Sequence, residues 1–447
     1  MKSTRNGTKR RIVCALLVCS LPLAFFTGCA GGGEESSESP AISGASSSQG
    51  VNASPDTLSN PNITVFWPRT VDDHPEFTEA VEAFEKKYGG EVTVVGSGRY
   101  DDRATRLTNL VQSRTQVDVV FTNAEDYPSY ALTRLVRPLD TTQFDFTKEP
   151  YTINDGSGYT VVNGDAYFVK TTDTSGGVLT LYNKTLIENA GLETPLQLYE
   201  EGNWNWNTFR ELARNLSEDT DGDGINDIYG WADYDINALL ASNGTTLLKT
   251  NGESFVPNDS EAATRAYQLY YDMYNIDNSI CKDPWSWSTD MVQGKLGMVC
   301  QKAEYILYWM EQGSQYEYDF APLPKGQDAD GYYSAVTFNN CFAMGATCKN
   351  PEGAYAFMKF YVEQTDGKRY NAKTGSAKFT DEQENRLTEY VQLTPIVYSP
   401  VGFGTLKNDA RSLLWAIRGG QSVGTTLAYW NDILLQDINI AMMTGTD

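Results

Sequence analysis

Ile63-Thr-Val-Phe-Trp67, Glu76 to Tyr88, Glu91 to Val95, Asp101 to Thr115 and Val117 to Thr122 alternate two periodicities, and that alternation decides the fold. The first, third and fifth stretches are short, apolar and β-branched or aromatic, as strands are. The second puts Phe77, Ala80, Val81, Phe84 and Tyr88 on one helical face, and Gly89-Gly90 ends it. The fourth does the same through Ala104, Leu107, Leu110 and Val111. Strand, helix, strand, helix, strand with short turns predicts a parallel sheet covered on both faces. Ligands of such sheets bind beyond the carboxyl ends of the strands.

Downstream, Thr160 to Val169 and Val178 to Tyr182 read as extended, and Trp206 to Glu218 as a helix through Phe209, Leu212, Ala213 and Leu216. Ser260 to Tyr274 is a Tyr-rich helix, Tyr318 to Pro324 a strand, and Ala335 to Gly345 a long strand or strand pair. Pro351 opens a helix to about Gln364, and two more are expected near Leu406 to Arg418 and Gly424 to Met443. The fold class is α/β with at least two lobes, as a chain of 447 residues suggests.

Upstream, Lys2, Arg5, Lys9, Arg10 and Arg11 precede an apolar run from Ile12 to Phe26, broken only by Ser20 and Pro22. That run is shorter than the ~20 residues a membrane-spanning helix needs, and it reads as an export signal. It ends in Phe26-Thr27-Gly28-Cys29, which resembles a bacterial lipobox, although Phe26 stands where Leu is usual. The expected layout is a signal peptide over 1–28, then a lipidated Cys29 with a Gly/Ser/Pro-rich linker to 61. Secretion with cleavage nearby is the alternative. Cleavage before Cys29 leaves 30 basic against 58 acidic residues, a formal charge of −28.

Composition excludes several chemistries. A single histidine, His74, argues strongly against a Ser-His-Asp hydrolase and against a zinc site with several His ligands. The acidic balance, with no basic cluster outside the first residues, argues against nucleic acid as a partner. Cys281, Cys300, Cys341 and Cys348 show no CxxC spacing and read first as buried thiols, second as disulfides. Aromatics reach 12%, with 27 Tyr and 9 Trp, leaving rings for a binding surface.

One loop carries metal chemistry. Asp219, Asp221, Asp223, Ile225 and Asp227 match positions one, three, five, seven and nine of an EF-hand loop, with Gly224 at the turn. Alternating carboxylates in a tight loop suit Ca²⁺, and Ile225 would supply its carbonyl. The twelfth position is Gly230 instead of a bidentate Glu, so the shell needs an outside ligand. The alternative is a solvated acidic turn. A structural role is expected, since nothing nearby resembles a nucleophile.

Several stretches together resemble the family 1 extracellular solute-binding proteins, the carbohydrate-binding lipoproteins of ABC importers, distantly similar to maltose-binding protein. They are Val178 to Lys184 with Ala190-Gly191-Leu192, Trp204 to Phe209, and the Asp-rich loop to Gly230. Gly294 to Met298, Asp319 to Gly326 and Lys349 to Phe357 follow in the family's order. The resemblance implies a two-lobed periplasmic-binding-protein-like fold with a hinged cleft, the first lobe at 62–172 plus 331–395 and the second at 173–330 plus 396–447. It implies a monomer, lipid-anchored on the extracytoplasmic face of the cell membrane, that captures an oligosaccharide and hands it to ABC permease subunits without chemistry. Carried over by position, the ligand-binding residues are Trp67, Asn123, Glu125, Asp126, Tyr127, Tyr234, Glu304, Tyr305 and Trp415. Glu304 and Tyr305 stand where a Trp is common. A sugar offers a C–H face and a rim of hydroxyls, which call for flat rings and for carboxylates or amides. Any one ring can equally be structural, Trp204, Trp206, Trp285 and Trp287 included. A secreted glycoside hydrolase, which uses similar clefts with a carboxylate pair, is the competing reading.

Overall fold

The computed structural model describes residues 57–71, 74–123, 126, 128–145, 148, 150–151, 161–162, 164–170, 177–232, 236–251, 254–335, 340–365, 377–393, 396–397 and 406–443. The signal segment, Cys29, most of the linker, Glu125, Tyr127, Tyr234 and the Glu304 side chain lie outside the described residues.

The opening alternation folds as β1 (Ile63–Phe66), α1 (Pro75–Tyr88), β2 (Val92–Val95), α2 (Arg103–Gln112) and β3 (Val119–Asn123), followed by β4 (Val136–Arg137) and β5 (Phe168–Lys170). The chain then builds a second sheet from β6 (Leu179–Asn183), β7 (Tyr229–Ala232), β8 (Leu296–Gln301) and β9 (Tyr318–Ala321). Among its helices are α3 (Trp206–Leu216), α4 (Glu261–Tyr271), α5 (Trp287–Gln293) and α6 (Glu304–Glu311). After β10 (Ser334–Ala335) it returns to the first sheet as β11 (Asn340–Gly345) and α7 (Pro351–Thr365). It ends with α8 (Asp381–Leu393), β12 (Ile396–Val397), α9 (Leu406–Arg418) and α10 (Val423–Met443). Among the described residues no helix is long and apolar enough to cross a membrane.

The first sheet has the order β2-β1-β3-β11-β4, with β5 also on β11. β1, β2 and β3 are parallel, while β11 runs antiparallel to β3. Both faces are buried: Phe77, Phe84, Phe342, Phe357 and Tyr361 pack with α1 and α7, and Leu107, Val120 and Tyr130 pack on the other side. The amino ends are tied by buried Asp118, whose Oδ2 accepts from Thr64 N at 2.9 Å and whose Oδ1 accepts from Lys349 N and Asn350 N at 3.0 and 3.1 Å. One carboxylate so joins β1 to the start of α7, where Pro351 has no amide hydrogen to leave unpaired.

The second sheet has the order β9-β6-β8-β7, with β6 antiparallel to β8 and β9 and with β8 parallel to β7. Gly230 in β7 is dictated by packing, because a Cβ there would meet the Ala213 carbonyl of α3 at 1.9 Å. Residues 377–393, which the lobe boundaries above placed with the first lobe, pack on this second sheet instead. Phe379, Leu387 and Tyr390 join Leu181 and Phe320, and Arg386 Nη2 reaches Asp319 at 2.5 Å. The apolar face of α8 finds aromatic partners there. Cys281, Cys300, Cys341 and Cys348 are buried cysteines with no disulfide among the described residues, and burial beside Asp118 pushes the Cys348 thiol up to about 12.

Candidate functional site

Register places the site. β11 begins with Asn340 opposite Asn123, the last residue of β3, and β5 ends with Lys170 opposite Cys341. The chain therefore joins and leaves the first sheet at the carboxyl ends of its parallel strands. In the second sheet β6 begins with Leu179 opposite Gln301, the last residue of β8. Val178 N donates to Ala335 O at 2.9 Å, and β10 pairs with β12. The crossings of both sheets thus lie at the carboxyl ends, and the loops leaving those ends form two rims, one on each sheet.

The first rim is built on Tyr100, in the turn between β2 and α2. The Arg103 guanidinium lies 4.0 Å from its ring centroid and that of Arg69 lies 5.1 Å away. Arg69 also sits 5.6 Å from the Phe121 ring, and its Nη2 donates to Asn340 Oδ1 at 3.4 Å. Arg103 Nε donates to both oxygens of Asp126 at 3.0 Å, and Thr122 Oγ1 donates to Asp126 Oδ2 at 2.7 Å. Burial opposes charge on Arg103, but the Asp126 carboxylate outweighs it and raises the guanidinium pKa. Burial, reinforced by Asp126, also pushes the Tyr130 phenol well up.

Asn123 and Asp126, expected from sequence, stand in this rim, but both are buried and engaged. Asn123 Nδ2 donates to Tyr100 Oη, and Asp126 holds Arg103. Arg69, Tyr100 and Arg103 are the residues that sequence reasoning missed. Their signal was position, directly after the carboxyl ends of β1 and β2.

Trp67 is a correction. It is 1% exposed, stacked on Phe77 at 3.8 Å and tilted against Phe121 at 4.1 Å. With its ring enclosed by Phe77 and Phe121 it has no surface for a sugar, because α1 covers this side of the sheet.

The second rim exposes its rings. The segment at Ile280 runs parallel beside Trp231 of β7 and leads into Trp285, which is 61% exposed and has the Arg411 guanidinium of α9 5.5 Å from its centroid. Trp415, one turn after Arg411 on α9, is 54% exposed. Tyr305 follows β8, is 36% exposed, and meets Trp287 edge-on at 4.9 Å. Tyr305 and Trp415 were expected from sequence, and Trp285 was then read as equally structural. Trp204 and Trp206 are buried, donating to Pro322 O and Ser242 Oγ.

The Asp-rich loop connects α3 to the amino end of β7, the end of the strand opposite the rim. Carboxylate oxygens of Asp219, Asp221 and Asp227 lie within 4.8 Å of one another. Asp219 accepts from Gly222 N and Gly224 N at 2.7 and 2.8 Å, which curls the loop around it. Asp223 Oδ1 accepts from Ile225 N at 2.8 Å and stands outside that trio. Hydrogen bonds from Thr220 hold the Asp227 carboxyl below the usual range. Position twelve is closed to a carboxylate by the contact of Gly230 with α3.

The chain belongs to the bacterial extracellular solute-binding protein family, which it matches over residues 68–367. Solved structures share its fold. The ABC substrate-binding protein Lmo0181 from Listeria monocytogenes, in complex with cycloalternan, is 16% identical with a TM-score of 0.63, covering 85% of this chain and 99% of that one. The GacH receptor of Streptomyces glaucescens is 18% identical with a TM-score of 0.61, covering 85% and 99%. The maltose/maltodextrin-binding domain MalE from Bdellovibrio bacteriovorus, bound to maltotriose, is 17% identical with a TM-score of 0.58, covering 84% and 98%. No curated protein matches the sequence. The fold class is thus the two-lobed α/β architecture of periplasmic binding proteins.

Burial of Trp67 sets a stability test. Trp67→Ala should destabilise the fold by about 3–5 kcal/mol, as loss of a large core ring does, measured by urea unfolding. A change below about 1 kcal/mol would show that the ring is not core.

Proposed function

We propose that this protein is the capturing component of an ABC importer for carbohydrate, binding an oligosaccharide between its two lobes and releasing it unchanged to permease subunits. The supporting observation is that the carboxyl ends where the chain crosses carry unlike groups: exposed Trp285, Tyr305 and Trp415 on the second sheet, and guanidinium and amide groups on the first. Rings stack on the C–H face of a sugar, and the polar rim takes its hydroxyls. Solved relatives carry cycloalternan and maltotriose, which supports the same ligand class. Closure of the lobes about the crossing strands would bury the sugar. No hydrolysis is part of this reading.

Calorimetry with the best glycan from a thermal-shift panel tests it. Saturable binding is expected, with the glycan recovered intact. Trp285→Ala, Tyr305→Ala and Trp415→Ala should each weaken binding ~10-fold while the protein stays folded. Cleaved glycan would transfer the protein to the glycoside hydrolases.

The Asp219–Asp227 loop is read as a structural Ca²⁺ site, with Asp219, Asp221 and Asp227 as carboxylate ligands, the Ile225 carbonyl as a further one and water or Asp223 completing the shell. The loop's place away from the rims supports a stabilising role. Chelator should lower the melting temperature, and Asp221→Ala should mimic it, because a ligand specific to the folded state is lost. Identical melting with and without chelator, and no Ca²⁺ by elemental analysis, would refute the site.

The protein is read as a monomer exported by residues 1–28 and held on the extracytoplasmic face of the membrane by lipid on Cys29. Cys29→Ser should then release it from the membrane fraction or leave the precursor uncut. Unchanged fractionation would argue for another anchor.

A further inference from the structure

Arg69 and Arg106 both lean on the turn that follows β1. Arg69 lies in it, half-buried, and Arg106 Nη2 donates to the Pro68 carbonyl at 3.2 Å. Neither guanidinium has a carboxylate within ion-pair distance among the described residues, although acids outnumber bases 58 to 35 in the chain. Glu76 feels the charge of Arg69, but its carboxylate is 2.9 Å from His74 Nδ1. Arg106 Nε is buried with no hydrogen-bond partner.

The surrounding loop is shaped for these groups. Gly98, at φ +152°, is the residue against which Arg106 packs, since a Cβ there would come 2.9 Å from Nη1. Ser97 Oγ donates to the Arg69 carbonyl at 2.9 Å and so ties the turns after β1 and β2 together. Arg103 shows the contrast: the same rim supplies it with a carboxylate, Asp126, on two sides of its fork. A cation that is left half-buried without a counter-charge is costly unless a partner arrives with the ligand. A guanidinium already fixed by Tyr100, Phe121 and Asn340 presents a planar donor fork, which suits an oxyanion better than a lone hydroxyl.

We propose that the captured glycan is acidic, carrying a carboxylate or sulfate group that Arg69 binds directly and Arg106 supports from behind. This rests on the carbohydrate-capture reading and names the class of sugar.

The test is calorimetry of the folded, full-length binding region with four probes: a uronate oligosaccharide, its carboxyl-reduced counterpart, a sulfated oligosaccharide and maltotriose. At least one charged probe should bind, and the uronate and sulfate arms identify which oxyanion fits. The neutral counterpart should bind about 10- to 150-fold more weakly, the range of one charge-assisted hydrogen-bonded pair. Arg69→Gln should erase that difference by weakening the charged probe to the level of its neutral counterpart, with the smaller loss on the neutral probes being that of a single hydroxyl contact, and Arg69→Lys should fall between. If Arg69→Gln melts early, Arg69→Lys and the wild-type comparison of charged and neutral probes decide. Equal affinity for charged and neutral probes, or unchanged binding of the charged probe by folded Arg69→Gln, would overturn the proposal. Binding of neutral probes alone sinks the acidic class and leaves sugar capture standing, whereas failure of all four, followed by failure of a broader glycan panel, sinks both.

Discussion

The position at which the chain crosses between its sheets governs the rest of the structure. Because β11 is antiparallel to β3, it must start where β3 ends, and because β6 is antiparallel to β8, it must start where β8 ends. Both constraints put the connections at the carboxyl ends of parallel strands. Loops distant in sequence meet there: Arg69, Tyr100 and Asn340 at the end of the first sheet, and Trp285 and Arg411 at the end of the second. The opposite ends carry the Asp118 carboxylate, which ties β1 to α7, at one sheet and the Asp-rich loop at the other.

The rims solve different problems. In the first, ring, guanidinium, carboxylate and amide hold one another, so Tyr100 and Arg103 are fixed before anything binds. Preorganisation of this kind limits the entropy lost on association. In the second, large rings stand exposed at the surface, and on the proposed reading covering their faces would provide the gain on binding. On that reading a fixed polar rim would orient the ligand and an exposed aromatic one would attract it.

Much of the scaffold was legible. Helices predicted over 351–364, 406–418 and 424–443 lie at 351–365, 406–418 and 423–443, and the opening alternation recurs with shifts of a few residues at its ends. Those segments carry strong periodicity and stop signals, which depend on neighbours in sequence. The site was less legible. Trp67 sits just beyond the carboxyl end of β1, as a rim residue does, and only the packing of Phe77 and Phe121 against it shows that it points into the core. In a sheet covered on both faces, alternation does not separate a buried ring from a rim ring. Segment 377–393 was likewise placed in the first lobe by the family resemblance, whereas its apolar face found Phe320 and Leu181 on the other sheet.

What the sequence by itself determined was the class of architecture, the parallel opening sheet, and the curled Asp-rich loop with Gly230 where an EF-hand has Glu. Each follows from patterns within a dozen or so residues, where periodicity, capping and turn chemistry act. Only the tertiary structure decided which arginines keep a carboxylate and which do not, which tryptophans reach solvent, and which sheet receives α8. Those outcomes depend on distances between residues separated by tens to hundreds of positions, and charge pairing and burial are set by such distances and not by order along the chain.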